Sequence, residues 1–149
     1  MLETVAGIPE SKIVYSHGNF ATAQCIQCGI EIEGKELFPT FEDGKVHQCR
    51  ECTGAMKPGV VFFGEMLPNK FYELHENDLW DCDLLLIAGT SLKVFPVANL
   101  VSLTKSNVPR IVLNREPHTF ISKEDVYLPD DLQLSISQLA TELNWKLSE

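Results

Sequence analysis

The chain has 149 residues, 44% hydrophobic and 22% charged, which is enough for one modest globular domain and too apolar for a disordered segment. A formal net charge of −9 disfavours direct nucleic-acid binding and leaves a basic peptide as the more natural macromolecular partner. The N-terminal Met1-Leu2-Glu3-Thr4 has neither a basic region nor an apolar core, and the longest wholly apolar run, Leu84 to Ala88, is too short to span a bilayer, so a reducing, intracellular setting without membrane contact is expected.

In chain order, Leu2 to Ala6 reads as the tail of a helix, stopped by Gly7 and by Pro9 shortly after. Ile13-Val14-Tyr15 is a β-rich run expected to form a strand that delivers His17-Gly18 at its C-terminal end. A lone histidine is by default a surface or satisfied core residue. His17, however, stands at a strand end, before a glycine and a metal-braced module, and that position suits a general base.

Next come Cys25-Ile26-Gln27-Cys28 and, after a twenty-residue interval, Cys49-Arg50-Glu51-Cys52. Two such knuckles can wrap four thiolates tetrahedrally around one Zn²⁺ ion. Two disulfides or four buried thiols are the alternatives, and the spacing in a chain without a secretory signal argues against both. Four protein ligands leave no open position, so the metal is expected to be structural. Gly29 and Gly54 are expected to supply the turns beneath the ligands. Residues 21–56 form the module, with turn signals at Gly34, Pro39 and Asp43-Gly44 and too few apolar residues for a large core. Metal binding, on the order of 10 kcal/mol in such sites, supplies the missing stability. With four cysteines in register, His47 is left on the surface. Cys82 has no partner by spacing and reads as a core thiol.

Beyond the module, strand and helix signals alternate. Lys57-Pro58-Gly59 leads into the strand-like run Val60-Val61-Phe62-Phe63, and Pro68 to Trp80 reads as a helix with Phe71, Leu74 and Leu79 near one face. Leu84 to Ala88 has the unbroken apolar character of a strand covered by helices on both faces of a parallel sheet. Val97 to Thr104 is expected as a helix, Arg110 to Leu113 and Val126 to Leu128 as strands. A last helix is capped by Asp130 or Asp131, with Leu132, Ile136, Leu139 and Leu143 on one face. The expected fold class is therefore α/β: part of a doubly wound, Rossmann-like sheet with an inserted zinc ribbon. In such folds ligands bind beyond the carboxyl ends of strands, where this sequence places Gly89-Thr90-Ser91 and Asn114-Arg115-Glu116. Hydroxyls, exposed N–H groups and a carboxylate there suit a nucleotide and its ribose, although small polar residues close strands in every α/β protein.

Together these motifs resemble the sirtuin family of NAD-dependent protein lysine deacylases, over nearly the whole chain. The resemblance rests on His17-Gly18, the four cysteines, Lys57-Pro58 with Val61-Phe62-Phe63-Gly64-Glu65, Gly89-Thr90-Ser91-Leu92 with Val94 and Pro96, and Asn114-Arg115-Glu116. It implies that His17 is the general base, activating a ribose hydroxyl after the acetyl oxygen has displaced nicotinamide from NAD⁺. It implies further that Val61, Phe62, Phe63, Gly64 and Glu65, with Val94 in the stretch Leu92 to Pro96, bind an acetylated-lysine peptide as an added strand. Phe63 would line the acyl-lysine tunnel, while Gly89, Thr90, Ser91, Asn114, Arg115 and Glu116 would hold the adenosine end of NAD⁺. Leu67 to Phe71 and Ser91-Leu92-Lys93-Val94 are most similar to the branch of nuclear histone deacetylases, which implies histone tails as substrates and a nuclear rather than cytoplasmic site.

The sequence departs from the family pattern at its start. The glycine-rich phosphate loop and the Gln-Asn-x-Asp element have no counterpart, so residues 1–149 read as a partial, N-terminally truncated deacetylase domain needing a missing N-terminal half or a partner chain. An isolated part of such a sheet is expected to associate through its open edge. Gly59 stands where an acidic residue is common, and Pro129-Asp130-Asp131-Leu132 replaces a Gly-Asp-Cys segment. Two function classes follow: an NAD-dependent protein lysine deacetylase, or an inactive zinc-ribbon and peptide-binding module.

Overall fold

The computed structural model describes residues 1–146, which divide into two units, Met1–Glu73 and a second from Leu74 onward. The first begins with the short helix α1 (Leu2–Val5), ended at Ala6 and turned by Gly7 as its sequence predicts. A 3-10 turn, Glu10–Lys12, follows, tied down where Lys70 Nζ donates to the Glu10 carbonyl at 2.7 Å. Ile13 to Tyr15 does not form the expected strand. No neighbouring strand pairs with it, and Ile13 is instead buried as a side-chain anchor. His17 therefore stands at the start of a strand, not at the end of one.

That strand is β1 (Gly18–Cys25). It is the centre of an antiparallel sheet between β2 (Glu31–Glu33) and β3 (Met56–Val60), in the order β2-β1-β3. The registers Ala23↔Ile32 and Cys25↔Met56 put the first cysteine knuckle at the end of β1 and the second just before β3. Between the knuckles lie a 3-10 turn (Gly34–Leu37) and the one-turn helix α2 (Phe38–Glu42). The buried cluster is small, Ala23, Leu37 and Met56 with Cys25 and Cys49, flanked by Ile32 and Cys52. Three of these seven residues are cysteines, as expected of a module too small to fold by burial alone. The strand expected over Val60 to Phe63 stops at Val60, where Lys57 and Glu65 turn the chain out of the sheet.

Helix α3 (Asn69–Asp81) starts behind Pro68 and buries Phe71, with Leu74 and Leu79 half-buried on its inner side. Cys82, read as a core thiol, is half-buried at the helix end, where its Sγ contacts the Leu79 carbonyl at 3.1 Å. The second unit is built on three parallel strands in the order β4-β5-β6: β4 (Leu85–Ala88), β5 (Arg110–Leu113) and β6 (Val126–Leu128). The central strand has both faces covered, since the adjacent residues Val112 and Leu113 point to opposite sides and both are 0% exposed. β4 does not match the expectation of burial on both faces. It is an edge strand on which Ile87 is buried while Leu86, and Leu84 just before it, stay open to solvent. The helix expected over Val97 to Thr104 is a 3-10 segment, Val97–Ser102. Helix α4 (Leu132–Glu142) is capped by Asp131, whose carboxylate accepts the Gln133 N–H at 3.0 Å. It packs on β5 through the buried Ser135 and Ala140 and the half-buried Ile136 and Leu139, while Leu132 and Leu143, expected on that face, remain partly exposed at its ends. No helix among the described residues is long and apolar enough to cross a membrane.

Candidate functional site

The two cysteine knuckles are built alike. In each, the first cysteine's N–H donates to a carbonyl beyond the turn (Cys25 to Ile30 at 2.8 Å, Cys49 to Gly54 at 2.7 Å), and its own carbonyl accepts from Gly29 or Thr53 at 3.0 Å. Its sulfur accepts an N–H from Gln27 or Glu51 at 3.4 Å. Gly29 supplies a left-handed residue at φ 75°, as expected, but in the second knuckle the equivalent position is Thr53 at φ 60°. Gly54 does not supply the turn; the Gln27 side chain occupies the space a Cβ would need there, 2.7 Å away.

All four Sγ atoms lie within 4.8 Å of one another, with Cys25 and Cys52 at 3.4 Å and Cys28 and Cys49 at 3.7 Å. Disulfides, about 2.05 Å between sulfurs, are therefore absent from this set. A tetrahedral site with bonds of about 2.3 Å separates its sulfurs by about 3.8 Å, and the observed spacing matches it. The sulfurs also shift one another's ionisation. The Cys28 backbone N–H, followed by that of Gln27, brings the Cys25 thiol down to about 6. At Cys52 the Gly54 N–H works in the same direction but is outweighed by the neighbouring sulfurs and by burial, which push that thiol up to about 12. Four thiolates this close repel one another, and a dication between them would offset that repulsion. The set fits a structural zinc site with no position left for substrate. His47 is outside it, bonded through Nδ1 to the Thr40 hydroxyl at 3.0 Å.

His17 is exposed in the turn before β1, held by its backbone: its carbonyl accepts the Val61 N–H at 3.0 Å. Gly18 fixes the approach. It adopts φ 67°, and a Cβ there would lie 1.9 Å from the Gly59 carbonyl oxygen. The backbone of His17 thus lies next to the segment Val61–Glu65, in which Phe62 is half-exposed and Phe63 wholly exposed. Val94, in the second unit, is likewise open to solvent.

In the second unit the parallel register ends β4 and β5 in step, with Ala88 opposite Leu113. The ladder continues one residue further, as Gly89 N–H donates to the Leu113 carbonyl at 3.0 Å and Asn114 N–H to the Leu128 carbonyl at 3.3 Å. The tripeptides Gly89-Thr90-Ser91 and Asn114-Arg115-Glu116 consequently line one cavity of about 440 Å³ at the carboxyl edge of the sheet. Thr90 Oγ1 accepts the Leu92 N–H at 3.2 Å, which holds Leu92 in a left-handed conformation at φ 47°. Asn114 Nδ2 donates to the Glu116 carbonyl at 2.8 Å, leaving its side-chain oxygen and the Glu116 carboxylate for a ligand. Arg115 is already engaged, with Nη2 2.9 Å from Asp131, the cap of α4. That pairing and the Gln133 N–H hold the Asp131 carboxyl below its usual range; the Gln133 N–H is the stronger of the two. Sequence reasoning did not assign Lys93, His118, Asp130 or Leu132 to this cavity, although all four line it. Asp130 and Leu132 come from the segment that departs from the family pattern, and His118 from a loop with no motif of its own.

The Sir2 family model matches residues 1–96. The mouse (Mus musculus) NAD-dependent protein deacetylase sirtuin-3 is 40% identical over 148 residues, which cover 97% of this chain and 44% of that protein. The NAD-dependent protein deacetylase hst2 of Schizosaccharomyces pombe is 34% identical over 146 residues, again 97% of this chain and 44% of the relative. The chain spans less than half the length of these curated relatives. The fold is similar to a solved structure described as Sir2Tm bound to a propionylated peptide, with a TM-score of 0.87 at 24% identity, covering 97% of this chain and 61% of that one.

Proposed function

The chain belongs to the Sir2 family, and on that premise we propose that it forms part of an NAD-dependent protein lysine deacetylase, with His17 as general base and residues 21–56 as the structural zinc ribbon. The observation that carries this reading is the single cavity lined by Gly89, Thr90, Ser91, Asn114, Arg115 and Glu116, six residues from two strand ends. Its chemistry fits the adenosine end of NAD⁺. Glu116 and the Asn114 oxygen accept from ribose hydroxyls, Ser91 and backbone N–H groups donate, and Leu132, packed against Gly89, offers an apolar wall. Arg115 acts here by fixing α4 through Asp131, a positioning role.

When bound, NAD⁺ would supply the ribose carbon that bonds the acetyl oxygen as nicotinamide leaves, and the ribose hydroxyl onto which the acetyl group passes as water is consumed and lysine is freed. The chain's own part is to orient and to move a proton. His17, steadied through Val61, takes the proton from the ribose hydroxyl, and Val61–Glu65 binds the acetyl-lysine peptide as an added strand. A relative whose structure carries a propionylated peptide supports a peptide substrate. Relatives described as histone deacetylases in Kluyveromyces lactis and Saccharomyces cerevisiae support histone tails as substrates, and an intracellular, specifically nuclear, setting.

Titration of ¹⁵N-labelled chain with ADP-ribose tests the cavity. The amides of Gly89, Thr90, Asn114 and Glu116 are expected to shift together at millimolar ligand. Shifts that spare this set and fall elsewhere would contradict the assignment.

A further inference from the structure

Neither the metal nor the base accounts for the contacts that Lys57 makes across residues 57–65. Lys57 Nζ donates to the Val60 carbonyl at 2.7 Å, pairs with the Glu65 carboxylate at 2.8 Å and stands 4.5 Å over the Phe62 ring. Glu65 closes the loop from the other side: its Oε2 accepts the Phe62 N–H at 2.8 Å, and its own N–H donates to the Phe62 carbonyl at 3.0 Å. The Lys57 ammonium, ahead of the Phe62 N–H, holds the Glu65 carboxyl below its usual range. An isolated ion pair with side chains 25% and 42% exposed stabilises little. Here all three partners of one ammonium lie in the same short segment, and a lysine's three donors and compact charge suit a carbonyl, a carboxylate and a ring face at once. The segment is folded back on itself, with Phe63 projecting into solvent and Val61 still anchored to the His17 carbonyl.

We infer that Lys57 is a positioning residue for the acyl-lysine peptide: through Glu65 and Phe62 it holds Val61–Glu65 in the conformation that accepts the peptide and keeps that edge tied to His17. The inference rests on the reading of Val61–Glu65 as the peptide edge. Its physical content is preorganisation, since an edge that must be ordered on binding loses affinity.

The test uses the zinc-loaded chain and two readouts, amide hydrogen exchange and anisotropy of a labelled acetyl-lysine peptide. In Lys57→Met, exchange at Val61 and Phe62 is expected to quicken about tenfold or more, while Cys25 and Met56 stay protected and zinc content is unchanged. Peptide affinity is expected to fall about tenfold. Glu65→Gln should match it, the double variant should be no worse than either single one, and Lys57→Arg should restore part of both signals. Glu65→Gln carries the same test if Lys57→Met loses its zinc. Unchanged exchange would show that no clasp exists, and faster exchange with unchanged affinity would show a clasp without a positioning role. A wild-type chain that binds no peptide would instead overturn the peptide-edge reading, and the positioning role with it, whatever the exchange data say of the clasp.

Discussion

His17 is placed by its neighbours' backbone rather than by contacts of its own ring. The Val61 N–H holds its carbonyl, and Gly18 permits the close pass beneath Gly59. Gly18→Ala combines a left-handed φ with a backbone clash, and is expected to lower stability by about 2–4 kcal/mol in urea unfolding. Gly44 has the same φ of 67° but open space around it, so Gly44→Ala should cost about 1 kcal/mol. Equal effects would mean that the clash is relieved without cost. The dipeptide His17-Gly18 stood out in the sequence, yet the steric need for its glycine did not, because the atom that demands it belongs to Gly59. The engagement of Arg115 by Asp131 was hidden for the same reason: a sequence shows which groups are present, and pairing across a sheet edge decides which remain available.

Among the elements, the knuckles were the most legible, since ligand type and spacing are local. The second left-handed residue was not, because Thr53 is driven to φ 60° only by the hydrogen bonds it shares in form with Gly29. One zinc per chain is expected by metal analysis. Cys49→Ala should abolish it and melt the β2-β1-β3 sheet, as judged by loss of amide protection in β1 and β3; retained metal would refute the ligand set. The parallel strands β5 and β6 were read to the residue, because short apolar runs between turn signals leave little latitude. The apolar run of β4 gave the strand but not its burial, which depends on what lies beside it. Behind β5, Arg110 grips Asp125 through two bonds of 2.6 and 2.8 Å, with Asp125 3% exposed. Burial opposes ionisation of Asp125, but the Arg110 hydrogen bonds and the Ser122 N–H outweigh it and keep its pKa lowered from 3.8. A lowered carboxylate pKa stabilises the fold fully above the unfolded value and loses that contribution as pH falls through the folded one. Asp125→Ala should therefore cost about 2–4 kcal/mol at neutral pH, and the difference from wild type should shrink only below about pH 4. A difference independent of pH down to acid unfolding would contradict the ion pair.

At the scale of the molecule, the sequence carried the α/β class, the inserted cysteine module and the family. It carried less of the cavity, because Lys93, His118 and Asp130 enter it from loops whose course no periodicity sets, and Leu132 from the first position of α4. On the proposed reading, His17, the cysteine cluster and the adenosine cavity are this chain's contribution to the reaction. Because orientation of the reacting groups contributes roughly 7–11 kcal/mol to such a barrier, the parts are informative only when assembled. The most direct measurement is therefore nicotinamide release by a chimaera in which residues 1–149 replace the matching segment of the mouse relative, supplied with NAD⁺ and an acetyl-lysine peptide. Peptide-dependent turnover is expected, reduced about 10²–10⁴-fold by His17→Ala; a folded, zinc-loaded chimaera that shows no turnover, or turnover indifferent to His17→Ala, would contradict the assignment of the base and of the chain's part in the reaction.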